Sequence, residues 1–546
     1  MGRPPWARGQ ESAQGRSSIA NTTPGSGRRN EADASPSLQD VSYPGGFYRE
    51  QAPIHLKYIC ALNGVRSPTL DGGFTYCEIG CGSGETIALL AASNPAGLFY
   101  GIDLSTSHIE QATALARAGG LSNLTLIAGD IAQLPWESLP DFDFVTLHGL
   151  YSWVPDSVQA AIRAFLATKL KPGGVAYVSY NAMPGWGSAG PLRRFFVDQA
   201  KGIGGDLLEQ SRQVVERLRQ LRHKGAPFFR ENPTAAGILS RLLSADPRYI
   251  AHEYLGPTWQ PRYFADVHDE MAANGLCFVG EGGVVENLLE HSVMPELVDL
   301  LRAETDRRSR ETLRDFVQNR FFRRDIYVRP ETHAPGASAD DLIQHMLFGL
   351  IAAPVQVPDT VNLVDAPALR FAGLWFDRIK TLLAYKVHTL AEILSDPVLR
   401  ACPAADLVEG VKLLTVGGFC APFAAREVIP PRGPSETIKV VPLLNQVRLE
   451  GRDWSAPSFT LASPVMGSGV SLNGLEAALL DAVQRPDPIT WAWSELRRRD
   501  IELRSSDEKT PVTDEAQGKQ ALRQALDQFL RHKLPKLAYL GVVEAA

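Results

Sequence analysis

The chain has 546 residues, of which 44% are hydrophobic and 21% are charged, and its formal net charge is −6. This length exceeds what one hydrophobic core supports, so we expect several domains. The composition is typical of a globular protein, and the weakly acidic balance argues against nucleic acid and membrane surfaces as partners.

The first 42 residues are rich in Gly, Ser, Arg and Pro and poor in large apolar side chains. Such a segment buries too little surface to offset its ordering entropy, so we expect residues 1–42 to be disordered. They contain no apolar stretch typical of a secretory signal. The six cysteines form no disulfide framework and no metal-ligand pairs, and no segment is long and apolar enough for membrane insertion. We therefore expect a cytoplasmic protein without a metal.

Residues 43–200 alternate short apolar runs with helical patterns. Strands are predicted at 74–80, 97–105, 123–130, 141–149 and 173–181, and helices at 83–95 and 105–120, the second capped by Ser105 or Ser107. Alternation of this kind predicts an α/β fold with a doubly wound, mostly parallel sheet. Ligands of such sheets bind at the carboxyl ends of the strands.

The rest of the chain has a helical pattern. We expect a helical cap domain over 201–335, a helical domain over 340–430 and a second helix-rich domain over 435–546, with linkers near 336–341 and 428–434. Nine arginines between Arg302 and Arg329 are interleaved with acids, which predicts a solvated, salt-bridged helix face.

The stretch "YCEIGCGSGE" at residues 76–85 places three glycines at alternate positions after an apolar run. The dinucleotide fingerprint G-x-G-x-x-G would need a glycine where this chain has Glu85, and a carboxylate there opposes a pyrophosphate. NAD is therefore disfavoured. An acid followed by three alternating glycines suits S-adenosylmethionine, which carries an ammonium and a sulfonium and no phosphate.

Acids at the ends of three successive predicted strands support that ligand. Glu78 is expected near the methionyl ammonium, Asp103 on both ribose hydroxyls, and Asp130 near the adenine amino group with Ile131 beside the ring. The predicted cofactor-binding residues are Glu78, Gly80, Cys81, Gly82, Gly84, Asp103, Leu104, Asp130, Ile131, His148 and Tyr43.

These motifs resemble the class I S-adenosylmethionine-dependent methyltransferases. "HGLYSWVP" (148–155), "SYNAMPGW" (179–186) and the stretch 248–280 are similar to bacterial members that carry a methyltransferase regulatory domain, which include protein-lysine methyltransferases acting on outer-membrane proteins. The resemblance implies a seven-stranded Rossmann-like catalytic domain over 43–200 and a regulatory cap over 201–335. It also implies a lysine amine as the methyl acceptor.

The segment after the fourth strand is the expected catalytic region. His148, Tyr151 and Trp153 follow that strand and are predicted to face the methyl group, where aromatic faces can hold an ammonium. Tyr151 and Trp153 are equally explained by packing at a helix start. Tyr43 and Phe47 are predicted to cover the cofactor, with ordinary anchoring as the alternative. His252 and Glu253 lack a third zinc ligand at the required spacing, since position 256 is glycine.

The sequence thus predicts a methyltransferase whose acceptor is a protein lysine. Two alternatives remain open, a small-molecule methyltransferase and a protein that binds S-adenosylmethionine without turnover. The oligomeric state is also open.

Overall fold

The structure is a computed structural model that describes residues 46–256, 258–331, 338–426, 438–452, 454, 456, 458–499, 501–503 and 512–545. Three predictions fall on residues that the structure does not describe: the segment 1–42, the cofactor-binding residue Tyr43 and the linker 428–434.

A seven-stranded, mostly parallel sheet forms the centre of the molecule, with the strand order β3-β2-β1-β4-β5-β7-β6. All five strands predicted from the sequence are present, and β7 runs antiparallel to both of its neighbours. The strands are β1 (Thr75–Ile79), β2 (Leu98–Asp103), β3 (Leu124–Ala128), β4 (Phe142–Leu147), β5 (Leu170–Asn181), β6 (Cys277–Glu281) and β7 (Phe322–Val328). The predicted doubly wound fold is confirmed, and its strand order reverses between β1 and β4, where such sheets bind ligands.

The resemblance implies that all seven strands lie within residues 43–200, but β6 and β7 come from the predicted cap. Residues 182–276 are inserted between β5 and β6. The pattern failed at β7 because its sequence, FRRDIYV, contains three charged residues, which the helical reading assigned to a solvated face. The chain divisions at 200, 335 and 430–435 stay predictions.

Helices cover the sheet and build the insertion. In α3, Ser105 is the N-cap and its hydroxyl accepts from the backbone N–H of His108, which selects Ser105 over Ser107. The helices are α1 (Pro53–Leu62), α2 (Glu85–Ser93), α3 (Thr106–Ala118), α4 (Asp156–Lys169), α5 (Gly190–Ala200), α6 (Leu207–His223), α7 (Pro227–Glu231), α8 (Pro233–Leu242), α9 (Pro247–Ile250), α10 (Phe264–Ala273), α11 (Leu289–Ser292), α12 (Pro295–Ala303) and α13 (Arg307–Gln318).

The C-terminal region is helix-rich, as predicted, and it also contains short strands. Its strands are β8 (Leu347–Leu350), β9 (Thr360–Val361), β10 (Leu369–Arg370), β11 (His388–Thr389), β12 (Cys420–Phe423), β13 (Ile438–Val440), β14 (Ser458–Ser463), β15 (Ser468–Asn473) and β16 (Val543–Ala545). Its helices are α14 (Ala339–Ile343), α15 (Leu374–Leu383), α16 (Leu390–Leu394), α17 (Ala404–Val416), α18 (Leu443–Glu450), α19 (Gly474–Ala482), α20 (Pro488–Arg498), α21 (Glu515–Gln528) and α22 (Leu534–Tyr539). Helix α14 begins at Ala339, within the linker predicted near 336–341.

One apolar core joins the sheet to residues 343–420. Ile54, Tyr58 and Ile59 of α1 pack in the same buried cluster as Phe348 and Leu414. The Tyr58 hydroxyl lies 3.1 Å from the Thr415 hydroxyl, across the same contact. The sheet and residues 343–420 therefore share a core across the predicted boundary near 335–340.

The solvated, salt-bridged face predicted for segment 302–329 is found at Arg302 and Arg308, which are exposed and paired with acids, but not at β7. Arg323 on β7 is fully buried and pairs with Asp315 at 2.6 Å, Asp325 at 2.8 Å and Glu311 at 3.2 Å. Its neighbour Arg324 pairs with Glu50 at 2.6 Å. Because buried charges need partners, this network fixes β7 against α13 and against the segment that precedes α1.

Among the described residues, no helix combines the length and the apolar character needed to cross a membrane.

We expect a chain shortened to residue 335 to lose cooperative folding. It would expose the apolar side chains of α1 that now contact the C-terminal region, and each buried side chain of this type contributes about 1.5–3 kcal/mol. Circular dichroism melts and size-exclusion chromatography should show aggregation or a broad transition. A chain lacking only residues 1–42 is the control and should melt like the full chain. A sharp melt of the shortened chain would show that the catalytic region has an independent core.

Candidate cofactor and acceptor site

The glycine loop between β1 and α2 lies at the switch point of the sheet. Gly80, Gly82 and Gly84 have φ angles of +75°, +55° and +78°, which favour glycine at all three positions. A Cβ atom at Gly84 would lie 2.6 Å from the Cβ of Ala112, so this glycine lets α2 pack on α3. A Cβ atom at Gly82 would meet nothing within 4 Å, so the backbone there borders open space that a ligand can occupy.

Asp103 at the end of β2 fastens this loop. Its Oδ2 accepts a 2.8 Å hydrogen bond from the Gly82 N–H, and its Oδ1 accepts one of 2.9 Å from the Ser105 N–H. Oδ1 also lies 3.4 Å from the Nδ1 atom of His108, so one of the roughly four acceptor positions of the carboxylate remains for a ribose hydroxyl. The adjacent Leu104 is 63% exposed. Cys81 is buried below the loop, and its N–H donates to the Ile102 carbonyl.

Glu78 at the end of β1 is only 4% exposed, and burial raises its pKa to about 8. The neighbouring Gln51 only partly opposes that rise, and the charge of Asp103 adds to it. Oε2 of Glu78 and both amide heteroatoms of Gln51 are buried without a hydrogen-bond partner among the described residues. Unsatisfied acceptors and a desolvated carboxyl suit an ammonium group, which is the predicted ligand of Glu78.

Asp130 and Ile131 follow β3, the third strand of this edge. Asp130 accepts from the Ala132 N–H at 2.9 Å and from the Gln133 amide at 3.2 Å, which makes a tight turn. Ile131 is buried, and its carbonyl accepts from the Trp136 indole. The predicted adenine contacts thus lie at the strand end where the sequence placed them.

His148 lies just beyond β4 and is held by neighbours on β5. Its Nδ1 is 2.9 Å from the Tyr177 hydroxyl and 3.4 Å from the Ser179 hydroxyl. Burial lowers the pKa of His148 to about 4, although Glu50 acts in the opposite direction. The imidazole is therefore neutral near pH 7, so it can accept a hydrogen bond but is a weak general base.

Tyr48 is a site residue that the sequence analysis missed. Its ring lies 3.7 Å, centroid to centroid, from the His148 ring. Burial raises the pKa of Tyr48 to about 12, and carboxylates add to the rise, Glu253 first and then Glu85, Glu78 and Glu50. Tyr48 lies in the motif "YPGGFYRE", from which the sequence predicts Tyr43 and Phe47, and not Tyr48, as the residues that cover the cofactor. Phe47 instead packs into the core beside α2.

The covering segment, residues 46–51, is held by hydrogen bonds to α2 and β1. The Thr86 hydroxyl donates to the Gly46 carbonyl at 3.1 Å, and the Tyr76 hydroxyl lies 3.3 Å from the Gln51 carbonyl. These contacts place Gln51 beside Glu78 and Tyr48 beside His148.

Tyr151 is not placed to face a methyl group. Its side chain is fully buried, and its hydroxyl donates to Glu270 at 2.8 Å and accepts from Arg163 at 2.7 Å. This hydroxyl is used to fasten α4 to α10, so the packing alternative accounts for Tyr151. Trp153 is half-buried in the short helical turn that carries Tyr151.

A π-helical turn of the insertion, Ala251–Leu255, approaches the same edge. Such turns are rare and often occur at functional sites. The chain after it is anchored to the strand ends, because the Gln260 N–H donates to the Ser152 carbonyl and the Arg262 N–H to the Asn181 carbonyl, both at 2.8 Å. This anchoring brings Glu253 into the surroundings of Tyr48.

The site is therefore acidic and aromatic. The carboxyl groups of Glu78 and Asp103 border the glycine loop, which suits a cationic ligand and opposes a pyrophosphate, whereas Glu85 is paired with Arg448 at 2.6 Å. Across the described ranges, no group of three or more His, Cys, Asp or Glu side chains could hold a metal ion.

Comparison with known proteins gives two family matches. Residues 70–195 match the model described as a methyltransferase domain, and residues 246–329 match the model described as a predicted methyltransferase regulatory domain. The second match includes the π-helical turn and both strands that complete the sheet.

Three individual proteins illustrate the range of similarity. An uncharacterized protein of Synechocystis sp. is 29% identical over 92% of this chain and 98% of its own length. The demethylmenaquinone methyltransferase of Geobacillus stearothermophilus is 30% identical over 30% of this chain and 69% of its own length. The structure of PKMT2 from Rickettsia typhi in complex with AdoHcy has the same fold, with a TM-score of 0.70 and 20% identity over 91% of this chain and 99% of that one.

Replacing Asp103 should impair the ligand site and the loop together. We expect Asp103→Ala to weaken binding of S-adenosylhomocysteine at least about tenfold, because charge-assisted hydrogen bonds of 1.5–3 kcal/mol are lost. The melting temperature should also fall, since the Gly82 and Ser105 N–H groups lose their acceptor. Asp141→Ala is the control. Asp141 pairs with Lys169 just before β4, at the amino-terminal ends of the strands and away from the site. Calorimetry that gave unchanged affinity for Asp103→Ala would remove the ribose assignment.

Binding should be linked to a proton on Glu78, whose pKa is about 8 in the unliganded protein. An ammonium requires the ionised carboxylate, so affinity should fall by up to about tenfold per pH unit below 8 and be level above it. Calorimetry near pH 7 in two buffers of different ionisation enthalpy should reveal release of close to one proton.

The same group links pH to stability. A carboxyl with a raised folded-state pKa contributes stability at low pH that is lost as the pH rises through 8. Glu78→Gln should abolish the proton release and flatten this dependence. Equal proton release by wild type and Glu78→Gln would assign the proton to another group.

Proposed function

This chain belongs to the S-adenosylmethionine-dependent methyltransferases, and from that premise we propose that it methylates lysine amines of a protein acceptor. The observation that carries the proposal is the Tyr48–His148 ring pair with carboxylates around it. An acidic, aromatic site attracts an ammonium by charge and by cation–π contact.

S-adenosylmethionine supplies a methyl group bonded to a positively charged sulfur. In our proposal Glu78 and Gln51 hold the amino-acid part, Asp103 the ribose, and Asp130 with Ile131 the adenine. Gly80, Gly82 and Gly84 allow the backbone to approach it.

The acceptor amine must be neutral to act as a nucleophile. In this proposal Glu253 attracts a lysine ammonium to the site, and desolvation beside the buried rings then favours loss of its proton to water. The neutral imidazole of His148 can accept a hydrogen bond from the resulting amine and so orient its lone pair. His148 titrates near pH 4, so it does not govern rates around neutral pH.

A small-molecule acceptor is the second candidate function. It is favoured by the similarity to demethylmenaquinone methyltransferase, which is confined to 169 residues. The large insertion and C-terminal region favour a protein acceptor, because a small acceptor does not require so much additional surface. We further propose a cytoplasmic location, supported by six cysteines that are all free thiols.

The acceptor class is tested by incubating the full chain with methyl-labelled cofactor and lysine-rich proteins, followed by peptide mass spectrometry. Label on lysine side chains supports the proposal. Label only on a quinone or another small molecule would replace it, and no label on any acceptor while cofactor still binds would favour a binding protein without turnover.

Glu253→Gln should separate acceptor binding from cofactor binding. We expect the KM for a lysine peptide to rise about five- to twentyfold, from the loss of one nearby carboxylate, while the affinity for S-adenosylhomocysteine stays within about twofold. Glu216→Gln is the matched control, since Glu216 forms an exposed ion pair with Arg219 on α6 of the same insertion. An unchanged KM, or an equal loss of cofactor affinity, would contradict the role given to Glu253.

A further inference from the structure

Both ends of α2, the helix that carries the glycine loop, are held by the C-terminal hairpin module, defined here as the described residues of 438–545. At the end of α2 far from the loop, the Ser93 hydroxyl donates to the Ser468 carbonyl at 3.0 Å and accepts from the Ser463 N–H at 3.1 Å. The next residue, Asn94, donates to the Gly467 carbonyl at 3.1 Å. The hairpin of β14 and β15 is therefore bonded directly to the cofactor helix.

At the loop end, the contact is an ion pair. Arg448 of α18 donates to the Glu85 carboxylate at 2.6 Å, and Glu85 is the first residue of α2, directly after Gly84. The Arg448 side chain is 10% exposed and that of Glu85 is 28% exposed, so the pair is largely shielded from water. Arg448 is itself held by the Thr460 carbonyl at 3.2 Å and by the Phe459 ring, with its guanidinium carbon 5.4 Å from the ring centroid.

The module also supports the covering segment. An added Cβ atom at Gly469 of β15 would lie 2.7 Å from the ring of Phe47, so only glycine leaves that ring its place. Phe47 directly precedes Tyr48, which covers His148. Contacts with the module thus reach both walls of the cofactor site, the glycine loop and the cover.

The charge of Glu85 explains why an arginine is needed at this point. Glu85 joins Glu78 and Asp103 around the loop, and it is among the carboxylates that raise the pKa of Tyr48. An unpaired Glu85 would move toward water and draw the Gly84 end of the loop with it. Pairing with Arg448 instead holds that carboxylate against the module.

We propose that Arg448 is a positioning residue for the cofactor site and that the C-terminal hairpin module is a functional part of that site. Arg448 acts through Glu85, by fixing the start of α2 and therefore the glycine loop. The inference rests on the proposed function only in taking the loop as the cofactor site, and it is independent of the acceptor.

The test measures binding of S-adenosylhomocysteine to the full chain by calorimetry, together with the melting temperature. Arg448→Met should weaken binding about five- to tenfold, because a charge-assisted contact that positions the loop is lost. Arg448→Lys keeps the charge and should stay within about twofold. Arg452→Met is the matched control, since Arg452 forms a buried 2.9 Å ion pair with Asp481 in the same module but does not contact α2. It should lower the melting temperature and leave binding within about twofold.

Two results would overturn the proposal. The first is a lower melting temperature of Arg448→Met with unchanged binding, which would make Arg448 a purely structural contact. The second is that Arg452→Met weakens binding as much as Arg448→Met does, which would indicate general loosening of the module. If Arg448→Met does not fold, Glu85→Gln examines the same pair from α2 and should weaken binding about threefold, and unchanged binding of that variant would also overturn the proposal.

The outcome is distinguishable from failure of the proposed function. A chain that binds S-adenosylhomocysteine normally but labels no lysine would remove the acceptor and leave the role of Arg448 intact. A wild-type chain that does not bind S-adenosylhomocysteine would overturn both.

Discussion

Removal of the Glu78 carboxyl from water is the constraint on which the site depends. A carboxyl buried at the end of β1, beside the charge of Asp103, holds its proton up to about pH 8. The protein keeps this unfavourable group in place with rigid surroundings, since β1 pairs with β2 and β4 on either side and Gln51 covers it. A cationic ligand would stabilise the ionised Glu78 carboxylate. The same desolvation that destabilises the free site would therefore favour the bound one.

The parts of the molecule that could be predicted from sequence are those set by local patterns. The five parallel strands and the glycine loop follow from apolar runs that end in glycine or an acid, and the serine hydroxyls limit the cap of α3 to Ser105 or Ser107. Three features escaped prediction because distant residues create them. The charged strand β7 is buried only because Asp315 and Glu311 neutralise Arg323. Tyr151 faces the core because Arg163 and Glu270 bind its hydroxyl, and Tyr48 faces His148 because residues 46–51 are fastened at both ends.

The segment matched by the regulatory-domain model contributes to the catalytic fold itself. Its strands β6 and β7 form one edge of the sheet, and Arg324 on β7 pairs with Glu50, two residues from Tyr48. The π-helical turn of the same segment supplies Glu253. Residues 182–276 are inserted between β5 and β6. The π-helical turn that carries Glu253 is therefore joined to the sheet at both ends of the insertion. A shift of β7 would be transmitted to the covering segment through the Arg324–Glu50 pair.

The charges around the site also bear on how an amine loses its proton without a strong base. For the lysine acceptor that we propose, carboxylates on the approach would attract its ammonium, but the same charges would keep it protonated if nothing opposed them. A lysine that enters after the cofactor would meet the like charge of its sulfonium, which would lower the pKa of the incoming amine. Deprotonation would then follow cofactor binding, and the neutral His148 would need only to orient the amine.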